Sequence, residues 1–150
     1  MGIRRNGPHP VALLLPATWM NLTGEVVQPV LHSLENSPED DASDLVVVHD
    51  DLDLPVGCLR IKNGGGTGGH NGLRSIDACL GTNAYTRVRI GIGRPESGRD
   101  AADFVLSPFF PEDRVVIDEV VGKAVKALSC VVSDGIVVAM NHYNRKIEES

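Results

Sequence analysis

Six glycines fall within the nine residues Gly64 to Gly72, GGGTGGHNG, and set between them one imidazole and one carboxamide, His70 and Asn71. Glycine lets backbone amides take positive φ and come close to a ligand, while an imidazole and a carboxamide just behind them can donate and accept hydrogen bonds. A flexible spacer has no use for that pair. Two readings stand on the residues alone: a loop that faces a ligand, or a glycine-rich turn that opens a helix with Asn71 as its N-cap.

Length limits what surrounds this loop. At 150 residues and 42% hydrophobic, the chain can bury one core and is too short for two, so residues 1–150 are expected to form a single domain. No apolar run reaches membrane-spanning length, and the opening MGIRRNGPHP lacks the apolar stretch of a secretory signal. A soluble, cytosolic protein is expected. Cys58, Cys79 and Cys130 are widely spaced in apolar surroundings and read as buried free thiols. His9 and His32 read as ordinary surface or helix residues, no His or Cys pair has zinc spacing, and no metal site is expected.

The net charge of -6 argues against a nucleic-acid partner until its distribution is read. Between Glu35 and Asp53 there are eight carboxylates and no Lys or Arg; between Arg60 and Arg94 there are six cations against the single acid Asp77. A basic face on an acidic protein is one reading, and two oppositely charged solvated surfaces is the other.

Hydrophobic spacing supplies the frame. Val11 to Leu15 and Leu45 to Val48 are short apolar runs suited to buried strands covered on both faces. Val26, Val27, Val30, Leu31 and Leu34 follow helical spacing, with Thr23 as cap and Pro29 as an expected kink. Cys58 to Lys62 alternates, with Leu59 and Ile61 inward and Arg60 and Lys62 outward; Arg87 to Ile90 repeats the device with Val88 and Ile90 inward and Arg87 and Arg89 outward. Four cations on one shared face follow from that pattern. Asn71 to Leu80 fits a helix with Gly81 past its end, and Pro111 to Ser133 a longer one with Val116, Val120, Ala124, Ala127, Leu128 and Val131 as its apolar stripe. Pro38 to Ser43 reads as an acidic loop. Strands alternating with helices predict an α/β domain with a mixed β-sheet between helical layers.

Polar groups fall where strands or their loops end: Asn21 after the first apolar run, Asp50 after the second, Asn71 after the glycine loop. In open α/β sheets that is where ligands bind. Asn can hold a carbonyl and Asp can orient a histidine base, so together they suit a hydrolase pocket; singly, each reads as a cap or turn residue.

Four ordered blocks, MNLTGE from Met20, VVHDDLDLPVG from Val47, GGGTGGHNGLRSI from Gly64 and RVRIGIGRP from Arg87, resemble the bacterial-type peptidyl-tRNA hydrolase family from about Val11 to the C-terminal helix. The resemblance implies hydrolysis of the ester between a peptide and the 3′ ribose of tRNA, which recycles tRNA dropped in translation, with no metal or organic cofactor and with a monomeric enzyme. It makes Asn21 and Asn71 the carboxamides that hold substrate, Asn71 also the one that holds the water or carbonyl, and Asp50 the carboxylate that orients the catalytic imidazole. Met20 lines the pocket beside the 3′ end, His70 counts with Met20, Asn21 and Asn71 among the substrate-binding residues and not as the base, and Lys62 and Arg89 grip a terminal phosphate of tRNA.

The family's GNPG and TRHN motifs, the second of which carries the catalytic histidine, do not occur in this sequence. The expectation is therefore a chain lacking the family's first strand and helix, with less stability in consequence. His49 adjoins Asp50 but projects to the opposite face of its strand, and His70 fills a position that the family occupies with a second, non-catalytic histidine. The alternative reading is a catalytically silent homologue that keeps the tRNA-gripping face, and a third is an interaction module that uses the fold alone.

Overall fold

The computed structural model describes residues 2–4, 10–34 and 42–144. His9, Glu35, Glu39, Asp40, Asp41 and most of the expected acidic loop lie outside the described residues. The elements are β1 (Gly2–Arg4), β2 (Val11–Leu13), a 3-10 turn at Met20–Leu22, α1 (Thr23–Leu34), a second 3-10 turn at Ala42–Asp44, β3 (Val46–Asp51), β4 (Leu59–Asn63), α2 (Asn71–Leu80), β5 (Thr86–Gly91), α3 (Ala101–Leu106), α4 (Pro111–Asp134) and α5 (Ile136–Tyr143). Two compact units divide the chain: Met1–Val46 with Asn63–Thr86, and Val47–Lys62 with Arg87–Ser150.

In the first unit β1 and β2 pair antiparallel, Ile3 opposite Ala12. The expected buried strand from Val11 to Leu15 is shortened to Val11–Leu13, and Leu13 and Leu15 are exposed. Among the described residues this ribbon of two short strands has no sheet neighbours to bury its apolar residues against, so composition alone overstated their burial. Helix α1 begins at Thr23 itself; the Thr23 hydroxyl donates to the Met20 carbonyl at 2.8 Å, so it ties the preceding 3-10 turn to the helix and does not act as an N-cap. The helix runs on through Pro29 to Leu34, burying Val27 while Leu34 stays exposed. Helices α1 and α2 cross closely at Gly24, whose backbone N–H donates to Ser75 Oγ at 2.8 Å. A Cβ there would lie 2.2 Å from the Ser75 carbonyl oxygen, so the crossing requires glycine. Leu73, Ile76 and Tyr85 are fully buried in this unit, and the Tyr85 hydroxyl donates to Asp77 Oδ1 at 2.6 Å.

The three-stranded sheet has the order β3-β5-β4. Thr86 N–H bonds Leu45 O and Ile92 N–H bonds Asp51 O, a constant offset that makes β3 and β5 parallel. Gly64 N–H to Tyr85 O and Gly91 N–H to Cys58 O pair β4 and β5 antiparallel. The sheet is mixed, as the alternation of strands and helices predicts. Leu59 and Ile61 are buried as expected, but Arg87 is only 2% exposed. The expected face of four outward cations is therefore not formed. Its error lay in treating β5 as a half-exposed strand, whereas β5 is central and flanked on both sides, which favours covering both of its faces. Arg60 is half-buried and donates to the Asn144 carbonyl at 3.2 Å.

Asn144, just beyond α5, closes the free edge of β4. Its Oδ1 accepts from Ile61 N–H and its Nδ2 donates to Ile61 O, each at 2.7 Å, so a side chain supplies what a further strand would. Helix α4 starts on Pro111 as predicted and buries Ile117, Val120, Ala124 and Ala127. Val116, assigned to its stripe from the sequence, is exposed, and Ile117 takes that place one residue on. The three cysteines are free and half-buried; desolvation, with the Asp134 carboxylate beside it, raises the Cys130 thiol pKa above its ordinary value. No helix among the described residues is long and apolar enough to cross a membrane.

Candidate active site

The candidate residues fall into two sets, one in each unit. Met20, Asn21, His70 and Asn71 belong to the first; Asp50, Lys62 and Arg89 belong to the second.

The first set is built on the N-terminus of α2. The glycines Gly64, Gly65, Gly68 and Gly69 all have positive φ, which takes the chain from the end of β4 into the turn before His70. The cap expected at Asn71 falls instead one residue earlier, on His70, which has extended φ and ψ and whose Nδ1 accepts the Leu73 backbone N–H at 3.2 Å. Asn71 is thereby released from the capping role. It stands as the exposed first residue of α2, at the positive end of the helix dipole, where a carboxamide is well placed beside developing negative charge. Gly81 ends α2 in the left-handed conformation, as expected.

The cap also constrains the chemistry of His70. An Nδ1 that accepts a hydrogen bond carries no proton, so the neutral ring holds its proton on Nε2. The lone pair a general base would offer is committed to Leu73. That supports the reading of His70 as a neighbour of the reacting group.

Gly72 draws Met20 into the same place. A Cβ on Gly72 would lie 2.7 Å from Met20 Sδ and 2.9 Å from His70 Cε1, so the missing side chain is what lets the thioether and the imidazole meet on the helix end. Met20 opens the 3-10 turn that precedes α1, with Asn21 next to it; both are exposed. The sequence reading missed Gly72 because the contact joins residues far apart in the chain. The HNG triplet was its only local signal.

In the second unit Asp50 is the penultimate residue of β3, inside the strand rather than after it. It lines a cavity of about 250 Å³ with Ile92, Arg99, Phe104, Phe110 and Asp113. Arg99 stacks over the Phe104 ring at 5.3 Å. The neighbouring His49 ring is turned to the Asp50 backbone carbonyl, Nδ1 at 2.7 Å. Lys62 is exposed near the end of β4. Arg89 is partly exposed and ion-paired: its Nε lies 2.7 Å from Asp51 Oδ2. Arg94 pairs with Asp53 beyond the same strand ends. Asp51 was read from sequence only as one of an acidic run, and its link to Arg89 depends on the parallel pairing of β3 with β5.

A carboxamide at a helix N-terminus, a thioether and capping imidazole beside it, a carboxylate in an aromatic-walled cavity and two cations near strand ends fit the four blocks seen in the sequence. The family model for peptidyl-tRNA hydrolase matches residues 2–150. The chain belongs to the peptidyl-tRNA hydrolase family. The peptidyl-tRNA hydrolase of Chloroflexus aggregans is 47% identical over 134 residues, covering 89% of this chain and 70% of that protein. That of Bacillus subtilis is 42% identical over 137 residues, covering 91% of this chain and 71% of the relative. For Roseiflexus castenholzii the identity is again 47%, and the chain spans 61% of that protein. The crystal structure of peptidyl-tRNA hydrolase from Acinetobacter baumannii superposes with a TM-score of 0.82 at 36% identity, over 95% of this chain and 70% of that one. The α/β architecture is therefore that of the peptidyl-tRNA hydrolases.

Proposed function

We propose that this protein acts on peptidyl-tRNA, hydrolysing the ester between the peptide and the 3′ ribose. In this reading Asn71 donates its side-chain N–H groups to the ester carbonyl, or to the attacking water, and stabilises the negative charge that develops on the oxygen. Asn21 is the second substrate-holding carboxamide, and Met20 lines the wall beside the 3′ end. Asp50 orients the imidazole that takes the proton from water. By the family pattern that imidazole belongs to the TRHN motif, which these 150 residues do not contain. Lys62 and Arg89 contact a terminal phosphate of the tRNA. A single domain acting as a monomer in the cytoplasm is part of the same proposal.

The observation that carries the reading is the convergence at α2: His70 takes the cap, Gly72 seats Met20, and Asn71 is left exposed at the positive helix end. The same cap favours the second reading, a homologue that binds tRNA without turnover, because it commits the His70 lone pair.

One assay separates the two. The 150-residue chain is mixed with peptidyl-tRNA, and both binding and peptide release are followed with and without free imidazole as a stand-in base. Release that imidazole accelerates is the expected result. Binding with no release in either condition would leave only the silent reading. No binding at all would favour an interaction module.

A further inference from the structure

Residues 10–46 and 63–86, which make up most of the first unit, contain a single Lys or Arg: Arg74, the fourth residue of α2. Acidic side chains are favoured near a helix N-terminus and cations near the C-terminus. Helix α2 has no acid in its first turn and no base in its last, and it carries this one cation toward its positive end. The stability of α2 therefore gives no reason for Arg74.

A partner within the unit gives none either. Arg74 is exposed, and its side chain makes no ion pair with another described residue. Asp77, three residues on, accepts the Tyr85 hydroxyl at 2.6 Å. The backbone at Arg74 is nevertheless firmly held. Its N–H donates to the His70 carbonyl at 3.1 Å, Leu73 before it is buried, and Ser75 after it accepts the Gly24 N–H at 2.8 Å.

Arg74 follows Asn71 by three residues and His70 by four, so it shares their face of α2. Helical side chains lean back toward the N-terminus, which carries the guanidinium toward the end where Asn71 is exposed. The loop entering that end is open: a Cβ on Gly66 or Gly69 would meet nothing within 4 Å. A ribose that bears a peptide ester on its 3′ side is joined through its 5′ oxygen to the preceding nucleotide. That phosphodiester is the negative charge nearest the ester, and a guanidinium presents paired donors to its oxygens.

We propose that Arg74 is a substrate-binding residue that holds the last phosphodiester of the tRNA, the one linking the ester-bearing ribose to its neighbour. This rests on the reading of Asn71 as the residue that holds the ester. Arg74 then sets that ribose in register with the carboxamide and distinguishes an RNA-linked ester from the ester of a bare nucleoside.

The test compares the affinity of the 150-residue chain for tRNA with a native last linkage and for the same tRNA with a neutral methylphosphonate there, in wild type, Arg74→Gln and Lys62→Gln. Wild type is expected to bind the native tRNA about fivefold more tightly. Arg74→Gln is expected to bind native tRNA about fivefold more weakly than wild type and not to distinguish the two RNAs, whereas Lys62→Gln weakens both and keeps the distinction. Thermal unfolding of Arg74→Gln is expected at or above the wild-type temperature, because a cation leaves the positive helix end. If Arg74→Gln keeps the wild-type distinction, or loses affinity for both RNAs equally while unfolding at a lower temperature, the inference fails and the reading of Asn71 stands. Wild type that binds both RNAs equally also overturns it. Wild type that binds neither would remove the tRNA reading itself, and the inference with it.

Discussion

The two units hold their candidate residues by opposite means. In the first, uncharged groups gather on one helix end: the cap, the thioether and the carboxamide owe their places to local backbone geometry and to a missing Cβ at Gly72. In the second, charges stand near strand ends and are largely compensated, Arg89 by Asp51 and Arg94 by Asp53. Asp50 apart, which is proposed to act at the ester from the second unit, the contrast matches the two ends of the proposed substrate. An ester carbonyl needs neutral donors aimed at one oxygen. A phosphate needs charge.

Separating the two ends of the substrate is the sharpest way to challenge this contrast. Replacing Asn71 by Ala is expected to slow peptide release about 100-fold while leaving tRNA affinity within about threefold; single-turnover release beside a binding titration reads both. A loss confined to affinity would reassign Asn71 to plain binding. Next in size, Gly24→Ala is expected to destabilise the fold by about 3 kcal/mol, because the added methyl meets the Ser75 backbone; a denaturant midpoint measures it. Asn144→Ala removes both bonds to Ile61 in the second unit and is expected to cost about 2 kcal/mol in the same measurement. Comparable losses would show that each unit depends on one long-range contact. Smallest is Lys62→Gln, expected to weaken tRNA binding a fewfold and to lower the slope of log affinity against log salt by about 1, with single-turnover release at saturation unchanged.

How much could be read from the sequence follows the same division. The bounds of α2, its glycine stop and the proline start of α4 were legible because glycine, proline and capping preferences act over a few residues. The alternation of Leu59 and Ile61 was legible for the same reason. Arg87 was misread, since whether an outward-pointing side chain meets water depends on which strand lies at the centre, and that is fixed by pairing between distant segments. The choice of cap was narrower still. His70 and Asn71 are adjacent, both can accept a hydrogen bond, and only the backbone torsions at His70 decide between them. Asp51 and Gly72 were legible only as members of an acidic run and a glycine run, because their partners, Arg89 and Met20, lie 38 and 52 residues away.

The central claim is that the α2 end holds the ester through Asn71 while His70 serves the helix. It is tested most directly by peptide release from peptidyl-tRNA, with imidazole supplied, for two neighbouring variants. His70→Asn keeps an N-cap acceptor and is predicted to retain the wild-type rate within about threefold, whereas Asn71→Ala loses about 100-fold. A His70→Asn chain that releases no peptide, beside an Asn71→Ala chain that still does, would contradict the account.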